Sequence, residues 1–274
     1  MLQAGSVSYV HGGRQAGPMM ASGGGALPGV QQVSLDIQHG AIVGILGPNG
    51  SGKTTLLRLL AGMLTPASGQ VSLDGTSLAA MARRDLARRV AVVPQETRLA
   101  FDYSVLEIAL MGRYPHLGAF ELEGPSDVAI ARKALTATGT AHLETRSFST
   151  LSGGEKQRVV IASALAQEAD ILLLDEPTAS LDLGYQLDVC TLITRLNRER
   201  SLTVVVATHD LTFAAALCQS LVLLRSGRVL ASGPTRDTLT ADTIRALYDV
   251  EAAIDWNERA GHLTVVPIER SRRA

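Results

Sequence analysis

The run Gly47-Pro48-Asn49-Gly50-Ser51-Gly52-Lys53-Thr54 follows directly on the β-branched apolar stretch Ile42 to Leu46 and leads into a helical pattern from Thr54 to Met63. Strand, glycine-rich loop and helix in that order leave few possible folds. The strand is apolar throughout, so both of its faces must be covered, and the loop must deliver its amides to whatever sits at the helix N-terminus. Phosphate is the ligand such a loop suits. Glycines let backbone N–H groups approach closely, the helix dipole adds partial positive charge, Lys53 is placed to neutralise β- and γ-phosphates, and Thr54 offers a hydroxyl to Mg²⁺.

Three further short apolar runs, Val90 to Val93, Ile171 to Leu174 and Val204 to Ala207, read as strands of the same buried sheet. Helical stretches such as Gly154 to Gln167 and Tyr185 to Arg198 alternate with them, which predicts an open α/β fold with ligand chemistry at the carboxyl ends of the strands. Val33 to Ile37 and Gln70 to Asp74 alternate in polarity and predict a smaller antiparallel layer. Glu107 to Ala166 reads as mostly helical, with breaks at Gly112 to Gly118 and Gly124 to Ser126.

Ile171-Leu172-Leu173-Leu174-Asp175-Glu176 is a buried strand that ends in two carboxylates. Asp175 suits the shell of a hard cation, while Glu176 can reach past a γ-phosphate to polarise an attacking water. Pro177 stops the ladder.

Leu151-Ser152-Gly153-Gly154-Glu155, with Gln157 and Arg158 behind it at the head of a helix, is a second anion cradle: a hydroxyl, glycine amides and a helix N-terminus. In its order with the phosphate loop and the carboxylate-ended strand, it resembles the signature of ABC ATPases. That resemblance covers roughly residues 6 to 235. It implies a P-loop ABC ATPase fold, with a RecA-like parallel-sheet core, an antiparallel β subdomain and an α-helical subdomain at about 97–166. The ATPase domain would then be residues 1–240, with a Gly-rich insertion at 12–29 and a short extension at 241–274.

The resemblance also implies roles for individual residues. Gly47, Pro48, Asn49, Gly50, Ser51, Gly52, Lys53, Thr54 and Thr55 would bind ATP, with Thr54, Gln95 and Asp175 around Mg²⁺. Glu176 would activate water, Gln95 would sense the metal and the γ-phosphate, and His209 would contact the γ-phosphate. Ser152, Gly153 and Gly154 would face the γ-phosphate bound by a partner subunit, and Ser180-Leu181-Asp182 would lie at the dimer seam. Tyr9 would stack on adenine, although the insertion separates it from the next strand by more than the family usually allows.

Composition narrows the setting. With 46% hydrophobic and 19% charged residues and a formal net charge of -1, neither disorder nor a polybasic nucleic-acid surface describes this chain. No apolar run approaches the roughly 18 to 20 residues that cross a bilayer, and the first residues lack a leader pattern, so the expectation is a chain that is neither secreted nor membrane-spanning by itself. Cys190 and Cys218 lack metal-type spacing and read as buried thiols. Residues 12–29, rich in glycine, read as a mobile loop. Beyond Thr240 a helix from Ala241 to Tyr248, a strand from His262 to Ile268 and a frayed basic end at Arg270, Arg272 and Arg273 are predicted.

The stretch Leu99 to Glu107 and the run Met111-Gly112-Arg113-Tyr114-Pro115-His116 are similar to importer ATPases for iron-siderophores, haem and cobalamin. This resemblance implies a homodimer at the cytoplasmic face of the membrane. It would work with a separate permease and, indirectly, with a substrate-binding protein, and with no nucleic acid. Phe101, Tyr103 and Tyr114 either meet the permease or only pack the helical subdomain. An exporter subunit and a soluble ABC protein acting on DNA or ribosomes are the alternatives.

Overall fold

The computed structural model describes residues 1–10, 28–97, 99–179 and 181–271. The chain begins with β1 (Leu2–Val10), β2 (Pro28–Ile37), β3 (Ile42–Leu46), α1 (Lys53–Leu60), β4 (Ser68–Leu73) and β5 (Thr76–Ser77). There follow α2 (Arg83–Arg89), β6 (Val90–Val93), α3 (Val105–Met111), α4 (Pro125–Ala137), α5 (Gly153–Ala166), β7 (Ile171–Asp175), α6 (Leu183–Arg200) and β8 (Thr203–Thr208). The last part holds α7 (Leu211–Leu217), β9 (Ser220–Arg225), β10 (Arg228–Pro234), α8 (Thr235–Thr238), α9 (Ala241–Tyr248), β11 (Val250–Asn257) and β12 (His262–Arg270).

The chain forms two compact units, one from Met1–Ala80 with Ala207–Ala274 and the other from Met81–Val206. In the first, β3 pairs in parallel with β9, and β9 pairs antiparallel with β10. Every residue of β3 is buried, as its unbroken apolar sequence requires. The predicted antiparallel layer is a four-stranded sheet in the order β2-β1-β4-β5. Its alternation is visible in β4, where Val71 and Leu73 are buried and Gln70 is exposed.

In the second unit β6 and β7 pair in parallel, with Val93 opposite Leu174. The helical part is a cluster of α3, α4 and α5. Ser104 starts α3 with a capping box, its side chain and that of Glu107 each accepting from the other's backbone N–H. Pro125 stands at the first position of α4, where its missing N–H costs nothing. The second predicted break therefore lies one step earlier, at 117–124, with Pro125 and Ser126 inside the helix. A further non-α connection at 138–152 has no glycine or proline cluster that would reveal it.

The C-terminal part differs from the sequence reading in one element. The helix Ala241–Tyr248 and the strand from His262 are present, but β12 pairs with β11, whose sequence VEAAIDWN is poor in β-branched residues. Arg270 lies opposite Val250 and belongs to this hairpin instead of a frayed end. Arg272 and Arg273 lie outside the described residues, as does most of the glycine-rich 12–29 segment. Neither cysteine is in a disulfide; Cys218 is buried and Cys190 half-buried, and burial raises the Cys190 pKa. Among the described residues no helix is long and apolar enough to cross a membrane.

Candidate functional site

In the first unit the phosphate loop turns on two left-handed glycines, Gly50 (φ 77°) and Gly52 (φ 103°). The Ser51 N–H donates to the Pro48 carbonyl at 3.1 Å, and the Leu56 N–H closes the first turn of α1 on the Gly52 carbonyl at 2.8 Å. Gly47 admits no side chain, since a Cβ there would lie 2.2 Å from the Leu224 carbonyl oxygen and 2.5 Å from Ser51 Oγ. Lys53 is buried and curls over the loop, its ammonium donating to the carbonyls of Gly47 at 2.9 Å and Pro48 at 3.3 Å. No acidic residue occupies the first turn of α1, whose dipole puts partial positive charge at this end.

The cradle fits a phosphate chain. Its glycines remove the Cβ atoms that would fill it, Lys53 brings a cation, and Thr54 follows at the head of the helix. Ser51 Oγ is buried without a hydrogen-bond partner among the described residues, as suits a hydroxyl reserved for a polar guest. Thr55 is buried behind the loop. Tyr9, half-buried on β1, lies opposite Val30 of β2, and the β1–β2 register shifts on either side of it. His209 is exposed directly after β8, and its carbonyl accepts from Tyr248 Oη at 3.5 Å.

In the second unit, Asp175 and Glu176 are 6% and 7% exposed at the end of β7. Glu176 has φ 48°, a left-handed conformation that a glutamate adopts only under constraint from its surroundings. A continued strand would send these two adjacent carboxylates to opposite faces, and the turn at Glu176 ends that alternation. Gln95 is exposed just beyond β6, and the parallel register of β6 with β7 brings it off the same sheet edge as the carboxylates.

Ser152 caps α5 through a reciprocal box. Its Oγ accepts from the Glu155 N–H at 3.3 Å, and the Glu155 carboxylate accepts from the Ser152 N–H at 2.8 Å. The backbone bond, followed by that of the Ser152 side chain, holds the Glu155 pKa below its ordinary value. Gly153 is exposed and Gly154 is buried. Asp182 caps α6 by accepting from the Tyr185 N–H at 3.1 Å, while Ser180 lies outside the described residues.

Residues 30–179 match the sequence pattern of a family described as ABC transporter. The chain belongs to the ABC transporter family. It is 41% identical over 239 residues to the cobalamin import ATP-binding protein BtuD of Halobacterium salinarum, a match covering 87% of this chain and 60% of that protein. The chain thus spans less than two thirds of that ABC relative's length. It is 39% identical over 258 residues to the ferric enterobactin transport ATP-binding protein FepC of Escherichia coli, covering 94% and 95% of the two chains. Its ABC ATPase fold is shared with a solved chain from an inward-facing ABC transporter assigned to the metal-chelate type, at 31% identity, 97% and 96% coverage and a TM-score of 0.82.

The importer-like run of this ABC protein divides into two kinds of residue. Phe101 and Tyr114 are 73% and 78% exposed, whereas Tyr103 is half-buried and packs edge-on to Phe101. Arg113 is 5% exposed and joins three helical elements, bonding Asp127 at 3.0 Å, the Ala166 carbonyl at 2.7 Å and Glu168 at 2.9 Å. The Pro115 carbonyl accepts from Arg84 and Arg88, and His116 Nε2 lies 2.8 Å from the Gln167 carbonyl. The resemblance alone did not reveal this internal role; an arginine directly after a glycine and two residues before a proline is the signal that could have.

Proposed function

We propose that this chain binds and hydrolyses ATP as the energy-supplying subunit of an ABC importer. One observation carries the reading: a phosphate cradle built around Gly47 and Lys53 occurs in a chain that also presents Asp175 and a constrained, buried Glu176 at a strand end. Gly47 to Thr55 hold the phosphates of ATP, and Tyr9 supports the adenine. Thr54, Gln95 and Asp175 offer oxygen donors suited to Mg²⁺, which when bound neutralises phosphate charge. Glu176 accepts a proton from the attacking water, whose oxygen bonds to the γ-phosphorus as ADP leaves, and His209 contacts the γ-phosphate.

Ser152, Gly153, Gly154 and Asp182 of one subunit complete the nucleotide site of a second copy, so each ATP requires a homodimer. The capped head of α5, with Ser152 and Gly153 outward, supports this arrangement. A cavity of about 440 Å³ lined by Thr97, Leu99, Phe101, Asp102, Phe148 and Lys156 supports docking of a separate permease at the cytoplasmic face of the membrane. The names of relatives favour a cargo of the iron-siderophore, haem or cobalamin kind. A substrate-binding protein that this subunit does not touch would deliver it.

Co-expression with the permease encoded nearest to it, reconstitution in vesicles and ATP-driven uptake of a ferric siderophore, haem and cobalamin test the reading. Accumulation of one cargo is expected only with ATP supplied on the subunit's side. ATP-driven efflux of the same cargo, or no dependence on ATP, would overturn it.

A further inference from the structure

Within the second unit the heads of α5 and α6 are capped alike, by Ser152 and Asp182, and they meet at one aromatic ring. A Cβ on Gly154 would lie 2.6 Å from Cγ and Cδ1 of Tyr185, so the glycine backbone rests directly against the tyrosine. One turn further along α5, the Arg158 guanidinium is 5.4 Å from the centre of the same ring. Positions four apart share a helix face, which is why Gly154 and Arg158 both reach Tyr185. Arg158 Nη1 is also 3.6 Å from Asp188 on α6, while its Nε is buried without an acceptor among the described residues. The ring face and the Asp188 carboxylate therefore help to hold this guanidinium in place.

We infer that Tyr185 is a positioning residue for the Ser152–Gly154 cradle. The inference rests on the reading that this cradle serves the nucleotide of a second copy. Asp182 fixes the start of α6, Tyr185 lies one turn inside it, and the ring bears on the backbone of Gly154, two residues after the capping serine. A shift of the α6 head, as Asp182 meets a second copy, is thereby passed to Ser152 and Gly153 through ring-on-backbone contact. Gly154 must lack a side chain for this packing alone, apart from any need to approach phosphate.

Hydrogen exchange on the full chain reads this without any nucleotide turnover. The Glu155 and Lys156 amides are bonded to Ser152 Oγ and the Ser152 carbonyl. In Tyr185→Ala they are expected to exchange at least tenfold faster than in the parent, while Leu56 and Leu57 on α1 are unchanged. Tyr185→Phe keeps the ring and should exchange as the parent does. On a Glu176→Gln background, Tyr185→Ala should also raise the dissociation constant of the ATP-dependent dimer at least tenfold, with the nucleotide Kd within twofold. If Tyr185→Ala does not fold, Tyr185→Leu, which keeps apolar volume but offers no ring face to Arg158, carries the same expectations. Parent-like exchange at Glu155 and Lys156, or parent-like dimerisation, in the ring-less variant overturns the inference. Failure of the parent itself to bind ATP would instead refute the nucleotide reading, and the exchange result would still decide the packing.

Discussion

The ammonium nitrogen of Lys53 lies 2.9 Å from the carbonyl oxygen of Gly47, the residue that opens the same loop. The lysine thus organises the loop's backbone and brings the charge the loop needs. Lys53→Ala is expected to weaken ATP binding at least tenfold, about 1.4 kcal/mol, in a direct titration with a fluorescent nucleotide. Affinity within twofold of the parent would count against the assignment of the cradle.

Glu176→Gln keeps the size and the constrained backbone but cannot accept the water's proton. Turnover should fall by about 10² to 10⁴, the usual span for loss of a general base, while ATP affinity holds. Size-exclusion chromatography with ATP should then show a persistent dimer. Parent-like hydrolysis by this variant would remove Glu176 from the chemistry.

The two loop glycines should respond differently to substitution. Gly50→Ala meets nothing within 4 Å and carries only the left-handed backbone penalty, about 1 to 2 kcal/mol. Gly47→Ala drives a methyl into the Leu224 carbonyl and must displace the loop, so its ATP affinity should fall well below that of Gly50→Ala. Denaturant titration and nucleotide binding, measured side by side, separate the two effects.

Arg113→Ala removes the guanidinium from Asp127, whose side chain is 13% exposed and keeps only the Gly124 N–H bond, and leaves the Ala166 carbonyl without that donor. Removing one partner of a buried pair costs about 3 to 5 kcal/mol, so a large fall in the urea midpoint is expected. Arg113→Lys cannot span all three partners and should recover only part of the loss.

Acid should act on the same cluster. The Gly124 N–H and then Arg113 hold the Asp127 carboxyl below its ordinary value. Its contribution is therefore complete above the unfolded pKa, about 3.9, and is lost as pH falls through the lower folded value. Asp127→Asn should be less stable than the parent at neutral pH and should converge with it in acid. A constant difference across that range would show that Asp127 does not titrate in this way.

Much of the fold was legible because its strongest signals are local. Ile42 to Leu46 and Ile171 to Leu174 are continuous apolar runs with polar ends, and the helix Ala241–Tyr248 sits between a threonine cap and a left-handed Asp249. β11 was not legible, because VEAAIDWN takes strand form from its partner β12 and from α9 packed against it, and not from its own propensity. At the candidate site the charged residues could be named from motif order. The constrained φ of Glu176, the Ser51 hydroxyl without a partner among the described residues, and the ring of Tyr185 against Gly154 arise when distant segments pack, and no spacing rule encodes them.

A designer seeking to retarget this subunit to a foreign permease would find most of the Gly112 to His116 run closed to change. Arg113, Pro115 and His116 are committed to partners inside the helical unit, and a methyl on Gly112 would strike the Ser163 carbonyl at 2.0 Å. Phe101 and Tyr114 present their bulk outward, as do Phe120 and Leu122. On the docking face proposed above, compatibility with a new membrane partner would be written in a thin outer layer that can drift freely, over an inner lattice that must be inherited whole.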